Sequence, residues 1–322
     1  MKTVTILIPA YNEEAVLNQC YQRITRVIQT LSTYYFEILF VNDGSKDATL
    51  PIIKSLRMQD SRVSFVNLSR NFGKEIAMIA GLDYAKGDAV ILMDADLQDP
   101  PELIPQMIKY WEQGYDDVYA KRRSRKGESW LKKFTSSEFY KLLQKTTRIP
   151  IQEDTGDFRL LDRRAVDALR QLRETQRYTK GMFSWIGYNK KEILFDREPR
   201  AAGKTKWHYA NLINLAIEGI TSFTIAPLRI SSIIGSLVSL LAFIYMIIII
   251  IKTLAFGTDV NGYASLMTVI LFLGGIQLLS LGIIGEYLGR VFNETKHRPL
   301  YLVDEYNNEK VKETVNENET IH

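Results

Sequence analysis

Two hydrophobic patterns divide the chain. Up to about residue 200, residues 4–8, 37–41, 63–68, 89–93 and 117–120 are short apolar or β-branched runs separated by helix-length segments. That alternation predicts an α/β fold, a largely parallel sheet with helices on its faces. In residues 14–31, Val16, Leu17, Cys20, Ile24, Val27, Ile28 and Leu31 recur at three- and four-residue steps, so one helical face is apolar. Cys20 therefore belongs to the core and is not a nucleophile. Residues 74–85 and 101–113 read as further helices, each ending before a glycine, Gly87 and Gly114, expected in the left-handed conformation.

The second pattern is uniform. Between Ile230 and Gly285 the only charged residues are Lys252 and Asp259. Residues 230–251 would span about 33 Å as a helix and residues 262–285 about 36 Å, against a hydrocarbon core of about 30 Å. Two transmembrane helices are expected. Arg229 precedes the first, and Arg290, Lys296 and Arg298 follow the second, which places both termini in the cytoplasm. The first apolar run is too short for a signal peptide and is broken by Pro9. The resulting organisation is a cytoplasmic catalytic domain over 1–205, interfacial helices over 206–229, spans at 230–251 and 262–285, and a cytoplasmic tail over 286–322. Trp207 and Tyr209 would sit at headgroup level. From about Asn307 onwards the tail is polar and acidic and reads as disordered. Gly285 and Gly289 form a Gly-x-x-x-Gly that suits close helix packing, within the chain or in a homo-oligomer.

Composition narrows the classes. The 322 residues are 46% hydrophobic and 24% charged, which excludes a disordered or collagen-like chain. Cys20 is the sole cysteine, so an intrachain disulfide and a cysteine zinc site are both excluded. His208, His297 and His322 are too scattered to form a metal site. Lys121, Arg122, Arg123, Arg125, Lys126, Lys132 and Lys133 form a dense basic segment relieved only by Glu128. It holds a single aromatic residue, Trp130, and lies on a chain with apolar spans, so a nucleic acid is not the expected partner and an anionic lipid is.

Ligands of open α/β sheets bind beyond the carboxyl ends of the strands. There the sequence is acidic: Pro9-Ala10-Tyr11-Asn12-Glu13, Asn42-Asp43-Gly44-Ser45, and Asp94-Ala95-Asp96-Leu97-Gln98-Asp99. Asp94 and Asp96, two apart in an extended segment, project to one side, as oxygen ligands of Mg²⁺ or Mn²⁺ would, and Gln98 repeats the spacing. Such a cation completes its shell with phosphate oxygens, which favours a nucleotide diphosphate. Alone, Asp94-Ala95-Asp96 reads equally well as a polar turn closing a strand. Gly203-Lys204-Thr205 is not a P-loop, since that motif needs a glycine where Glu198 stands.

Pro-Ala-Tyr-Asn-Glu-Glu at 9–14, Val-Asn-Asp-Gly-Ser at 41–45, Asn-Phe-Gly-Lys-Glu at 71–75 and Asp-Ala-Asp-Leu-Gln-Asp-Pro-Pro at 94–101 resemble, in order and spacing, the family 2 glycosyltransferases, whose GT-A fold is Rossmann-like. Thr155-Gly156-Asp157-Phe158-Arg159, Arg197-Glu198-Pro199-Arg200 and Gly203-Lys204-Thr205-Lys206-Trp207 resemble the polyprenyl-phosphate glycosyltransferases within it. The resemblance covers about residues 3–300. It implies a nucleotide-sugar donor held by Pro9, Tyr11, Glu13, Asp43, Lys74 and Asp94, with Asp43 near the base. It implies metal and diphosphate contacts at Asp94, Asp96 and Gln98, and an acidic residue at the reaction centre, Asp157. Arg122, Lys133, Ser136, Ser137, Arg200 and Lys206 would hold phosphate groups, the first four that of the lipid. Processive synthases of the superfamily carry Gln-x-x-Arg-Trp; here Tyr178 to Trp185 stands in its place, which implies single transfer.

The expected reaction is inverting, metal-dependent transfer of one hexose to polyprenyl (undecaprenyl) phosphate at the cytoplasmic membrane face. UDP-glucose is the favoured donor, UDP-N-acetylglucosamine next and GDP-mannose third. A phosphate monoester carries about −1.5 to −2 charges at neutral pH. It is already a nucleophile, so Asp157 need not take a proton. A non-catalytic membrane scaffold would explain the spans but not Asp94, Asp96, Gln98 and Asp157 together.

Overall fold

A computed structural model of the chain describes residues 1–123, 155–175, 177–196, 226–256 and 262–311. They fall into two units, residues 1–213 with 299–322, and residues 214–298.

The first unit is built on β1 (Lys2–Ala10), β2 (Tyr34–Asn42), β3 (Val63–Leu68), β4 (Ala89–Leu92), β5 (Asp117–Arg122), β6 (Thr155–Asp162), β7 (Lys190–Phe195), β8 (Val303–Tyr306) and β9 (Glu309–Lys310). They form one sheet in the order β7-β5-β6-β4-β1-β2-β3-β8-β9. All run one way except β6 and β8. The central strands are almost wholly buried, as apolar runs covered on both faces must be. Helices α1 (Leu17–Ile28), α2 (Thr49–Gln59), α3 (Lys74–Tyr84), α4 (Ile104–Glu112), α5 (Arg163–Gln171) and α6 (Thr179–Trp185) complete the unit. Leu17, Cys20, Ile24, Val27 and Ile28 of α1 are buried, the face expected from their spacing. Burial pushes the Cys20 thiol up to about 12, so it is an inert core residue.

Two expectations change and a third gains detail. Gly114 closes α4 in the left-handed region, at φ 92°, but Gly87 does not. A side chain at Gly87 would come within 2.7 Å of the Thr5 backbone nitrogen, so close approach to β1 demands that glycine. Second, the sheet is largely parallel as expected, with β6 inserted antiparallel between β4 and β5. Third, the segment beyond Asn307 does not start as a disordered tail. Asn307 and Asn308 take φ of 50° and 74° and turn β8 back into β9, as asparagines do in tight hairpins. The β8 strand lies antiparallel on β3, held by a 2.6 Å ion pair from Lys54 to Glu305 and by the Phe65 N–H donating to Asn307 Oδ1 at 2.9 Å. Upstream, Tyr301 donates to Asp83 at 2.7 Å, the carboxylate that Arg173 also grips.

The second unit contains two long helices, α7 (Ala226–Phe256) and α8 (Tyr263–Thr295), packed against each other. Both outrun the lengths expected. Among the described residues one stretch, Phe272–Thr295, is long and apolar enough to cross a membrane, and Ile230–Tyr245 is apolar over a shorter length. Large apolar side chains stand exposed along both helices, among them Ile233, Leu240, Phe243, Leu278 and Leu281.

Candidate active site

The carboxyl ends of β1, β2 and β4 lie side by side, and the loops that leave them are stitched together. Asn12, at φ 56°, donates its N–H to Ser45 Oγ at 3.0 Å and accepts the Lys46 N–H at 2.9 Å. Glu13 donates its N–H to Thr49 Oγ1, and Glu14 accepts the Ala48 N–H. These bonds set Tyr11 and Glu13 on the same rim as Asp43.

Asp43 is 2% exposed, and its two oxygens accept the N–H groups of Phe72 at 2.7 Å and Gly73 at 3.0 Å. Burial pushes its carboxyl up against the pull of those two amides. The visible task of Asp43 is thus to hold the 71–75 loop. The next residue, Gly44, sits at φ 62°, and a side-chain carbon there would lie 2.4 Å from the Arg70 carbonyl carbon. Gly44→Ala should therefore push the 70–73 backbone off Asp43 and weaken nucleotide binding at least several-fold. Isothermal titration with UDP checks this, and an unchanged affinity would overturn it.

The anchored loop delivers Lys74, first residue of α3, to the centre of the rim. Its Nζ lies 2.6 Å from Asp94 and 2.5 Å from Asp157. The antiparallel register of β6 makes this possible: Leu92 pairs with Arg159, so the chain leaving β4 towards Asp94 runs alongside the part of β6 that carries Asp157. Burial raises the Asp157 carboxyl, but the Lys74 ammonium, then Lys180, outweigh it and hold it at about 2. The ion pair with Lys74 thus favours the ionised form of Asp157.

Asp94 and Asp96 are partly exposed, and Asp96 accepts the Gln98 N–H at 3.1 Å across Leu97, which takes φ 59°. No group of three or more His, Cys, Asp or Glu side chains converges among the described residues. Two oxygen-donor carboxylates without a third fit a hard cation that takes the rest of its shell from phosphate oxygens. Gln98 is buried. Arg122 stands near Gly156, its Nη2 4.0 Å from where a side-chain carbon would be, and its buried Nε has no partner among the described residues. Lys133, Ser136, Ser137, Arg200 and Lys206 lie outside the described residues, as do most of the basic segment and the expected interfacial helices.

Three groups here carried no assignment from sequence. Arg159 and Asp117 form a fully buried ion pair at 3.0 Å, with the guanidinium 3.6 Å from the Phe183 ring centroid. Lys180, on α6, lies close enough to Asp157 to stabilise its charge. Glu75, beside Lys74, accepts the Thr179 N–H at 2.9 Å. Their letters were visible, but nothing local in the sequence shows that α3, β6 and α6 meet.

Burial, then the charge of Asp157, pushes Glu75 up to about 7, against the Thr179 N–H, Lys74 and Arg177. In the unfolded chain it titrates near its ordinary 4.5. Between these values the folded protein keeps a proton that the unfolded chain has lost, so stability present at low pH is lost as pH rises through 7. Glu75→Gln removes that titration. The melting temperature of the variant minus that of the native chain should rise between pH 5 and pH 8; a constant difference would sink the assignment.

The sequence profile of Glycosyl transferase family 2 matches residues 5–170, and that of the GtrB C-terminal hairpin matches residues 226–291. An uncharacterised glycosyltransferase of Synechocystis is 54% identical over 302 residues, covering 94% of this chain and 95% of the relative. The bactoprenol glucosyl transferase of Shigella phage SfV is 46% identical over 300 residues, covering 93% and 97%. The putative glycosyltransferase CsbB of Bacillus subtilis is 44% identical over 304 residues, covering 94% and 92%. A mostly parallel α/β sheet of GT-A type, an acidic rim at its strand ends and profile matches along the catalytic unit and the helical hairpin agree: the chain is a glycosyltransferase and belongs to glycosyl transferase family 2.

Proposed function

We propose that the protein transfers a single hexose, with inversion, from a nucleotide sugar to polyprenyl phosphate at the cytoplasmic face of a membrane. UDP-glucose is the favoured donor and undecaprenyl phosphate the favoured acceptor. The observation that carries this reading is the meeting of Asp94 and Asp157 across Lys74. It sets a strand-end carboxylate suited to a cation beside one whose ionised form the Lys74 ammonium favours.

A carboxylate held at about 2 is a poor proton acceptor, which fits an acceptor that is already an anion. Asp157 orients the reacting groups and offers fixed negative charge to the positive charge developing at the anomeric carbon. Mg²⁺ or Mn²⁺ bound by Asp94 and Asp96, with Gln98 beside them, would supply positive charge to the departing diphosphate. Pro9, Tyr11, Glu13 and Asp43 flank the nucleoside, Lys74 bridges towards the diphosphate, and Arg122 with Lys133, Ser136, Ser137, Arg200 and Lys206 holds phosphate groups. The name carried by the phage relative, a bactoprenol glucosyl transferase, supports a bactoprenol-type lipid acceptor and glucose. The exposed apolar sides of α7 and α8 are larger than a soluble surface tolerates, which supports two spans, and their glycines support a homo-oligomer.

The test is a transfer assay in detergent with Mg²⁺ and undecaprenyl phosphate, comparing labelled UDP-glucose, UDP-N-acetylglucosamine and GDP-mannose for label entering organic solvent. Label from UDP-glucose alone supports the full reading; label from another donor replaces the sugar. No label from any donor, with nucleotide bound, overturns the lipid acceptor.

A further inference from the structure

We propose that Glu75 is a positioning residue for the transfer step: it accepts the Thr179 N–H, fixes the first turn of α6, and so sets the place of Lys180, the next residue along that helix. This rests on the glycosyl-transfer reading above. Glu75 and Thr179 are 104 residues apart, and the 2.9 Å bond between them ties α3, which carries Lys74, to α6, which carries Lys180. Three charged groups bear on Glu75: Lys74 on its own helix, Asp157 on β6, and Arg177 on the segment leading into α6. A carboxylate beside Asp157 repels it and is a costly choice unless its bond to α6 is needed. Lys180 forms no carboxylate ion pair among the described residues, and its charge acts on Asp157.

The test compares Glu75→Ala, Glu75→Gln, Thr179→Pro and Lys180→Gln in the full-length chain, using the nucleotide sugar and polyprenyl phosphate that the native protein accepts. Glu75→Ala should lower kcat by up to about 10²-fold, the cost of a displaced catalytic group. Glu75→Gln keeps an acceptor oxygen and should recover most of that loss. Thr179→Pro deletes the donated N–H at a first-turn position where proline is tolerated, and should match Glu75→Ala even if the alanine variant folds poorly. Glu75→Ala and Lys180→Gln should raise the same KM: the donor's if Lys180 meets the diphosphate, the acceptor's if it meets the lipid phosphate. Added to Lys180→Gln, Glu75→Ala should cost little more, because the two act as one unit. Native rates in Glu75→Ala and Thr179→Pro, a glutamine variant as impaired as the alanine, or fully multiplicative losses would each overturn the proposal. Tryptic cleavage after Lys180 is read in parallel and should quicken in Glu75→Ala but not in Glu75→Gln. It decides the Glu75 contact even if the native protein transfers no sugar, an outcome that would count against the reaction assigned above.

Discussion

Asp157→Asn is expected to abolish transfer while leaving nucleotide binding intact or slightly tighter. The side chain keeps its shape and loses its charge, so Lys74 retains only Asp94 as an ion-pair partner. Removing one preorganised charge from a reaction centre typically costs about 10²–10³ in kcat. Nucleotide affinity should move the other way if it moves at all, because a negative charge has been taken from a site that receives a diphosphate. Single-turnover transfer and a separate UDP titration check the two halves. Turnover at the native rate would remove Asp157 from the mechanism; loss of nucleotide binding would reassign it to the donor pocket.

Arg159→Leu should cost about 3–5 kcal/mol of stability, the usual penalty for stranding one member of a buried ion pair. Arg159 and Asp117 both have side chains with no exposure, and Arg159 Nε and Asp117 Oδ1 find no partner among the described residues. Desolvation is thus incompletely offset, and the pair is a weaker stabiliser than its distance suggests. For a unit of this size the loss corresponds to a fall in melting temperature on the order of 10 °C. Changing Asp117 to Leu in the same chain should recover most of it, since no charge is then left buried. Thermal unfolding in detergent compares the native chain, both single variants and the double. If the double variant is as unstable as Arg159→Leu, the penalty comes from lost packing against Phe183 and not from a stranded charge.

The positions of β1 to β4 were legible because a strand buried on both faces must be written largely in apolar residues, whatever lies beside it. The face of α1 was legible for the same reason, since Leu17, Cys20, Ile24, Val27 and Ile28 can share one side only at helical spacing. Hairpin β8–β9 could have been found: Asn307-Asn308 between short extended segments is a turn signal, obscured by an acidic tail composition. Strand β6 was harder to place. Its Thr-Gly-Asp-Phe-Arg letters stood out through resemblance, but a strand's direction depends on its neighbours, and those are set by chain crossings that local pattern does not encode.

The family, the acidic character of the rim and the apolar hairpin were therefore properties of sequence alone, because each depends on which residues occur and at what interval. The pairing of Asp94 with Asp157 through Lys74, the depressed Asp157 carboxyl, the buried Arg159–Asp117 pair and the reach of Glu75 to Thr179 depend on distances between residues 20 to 104 apart. Electrostatic energy follows separation and burial, and only the antiparallel insertion of β6 beside β4 decided either one.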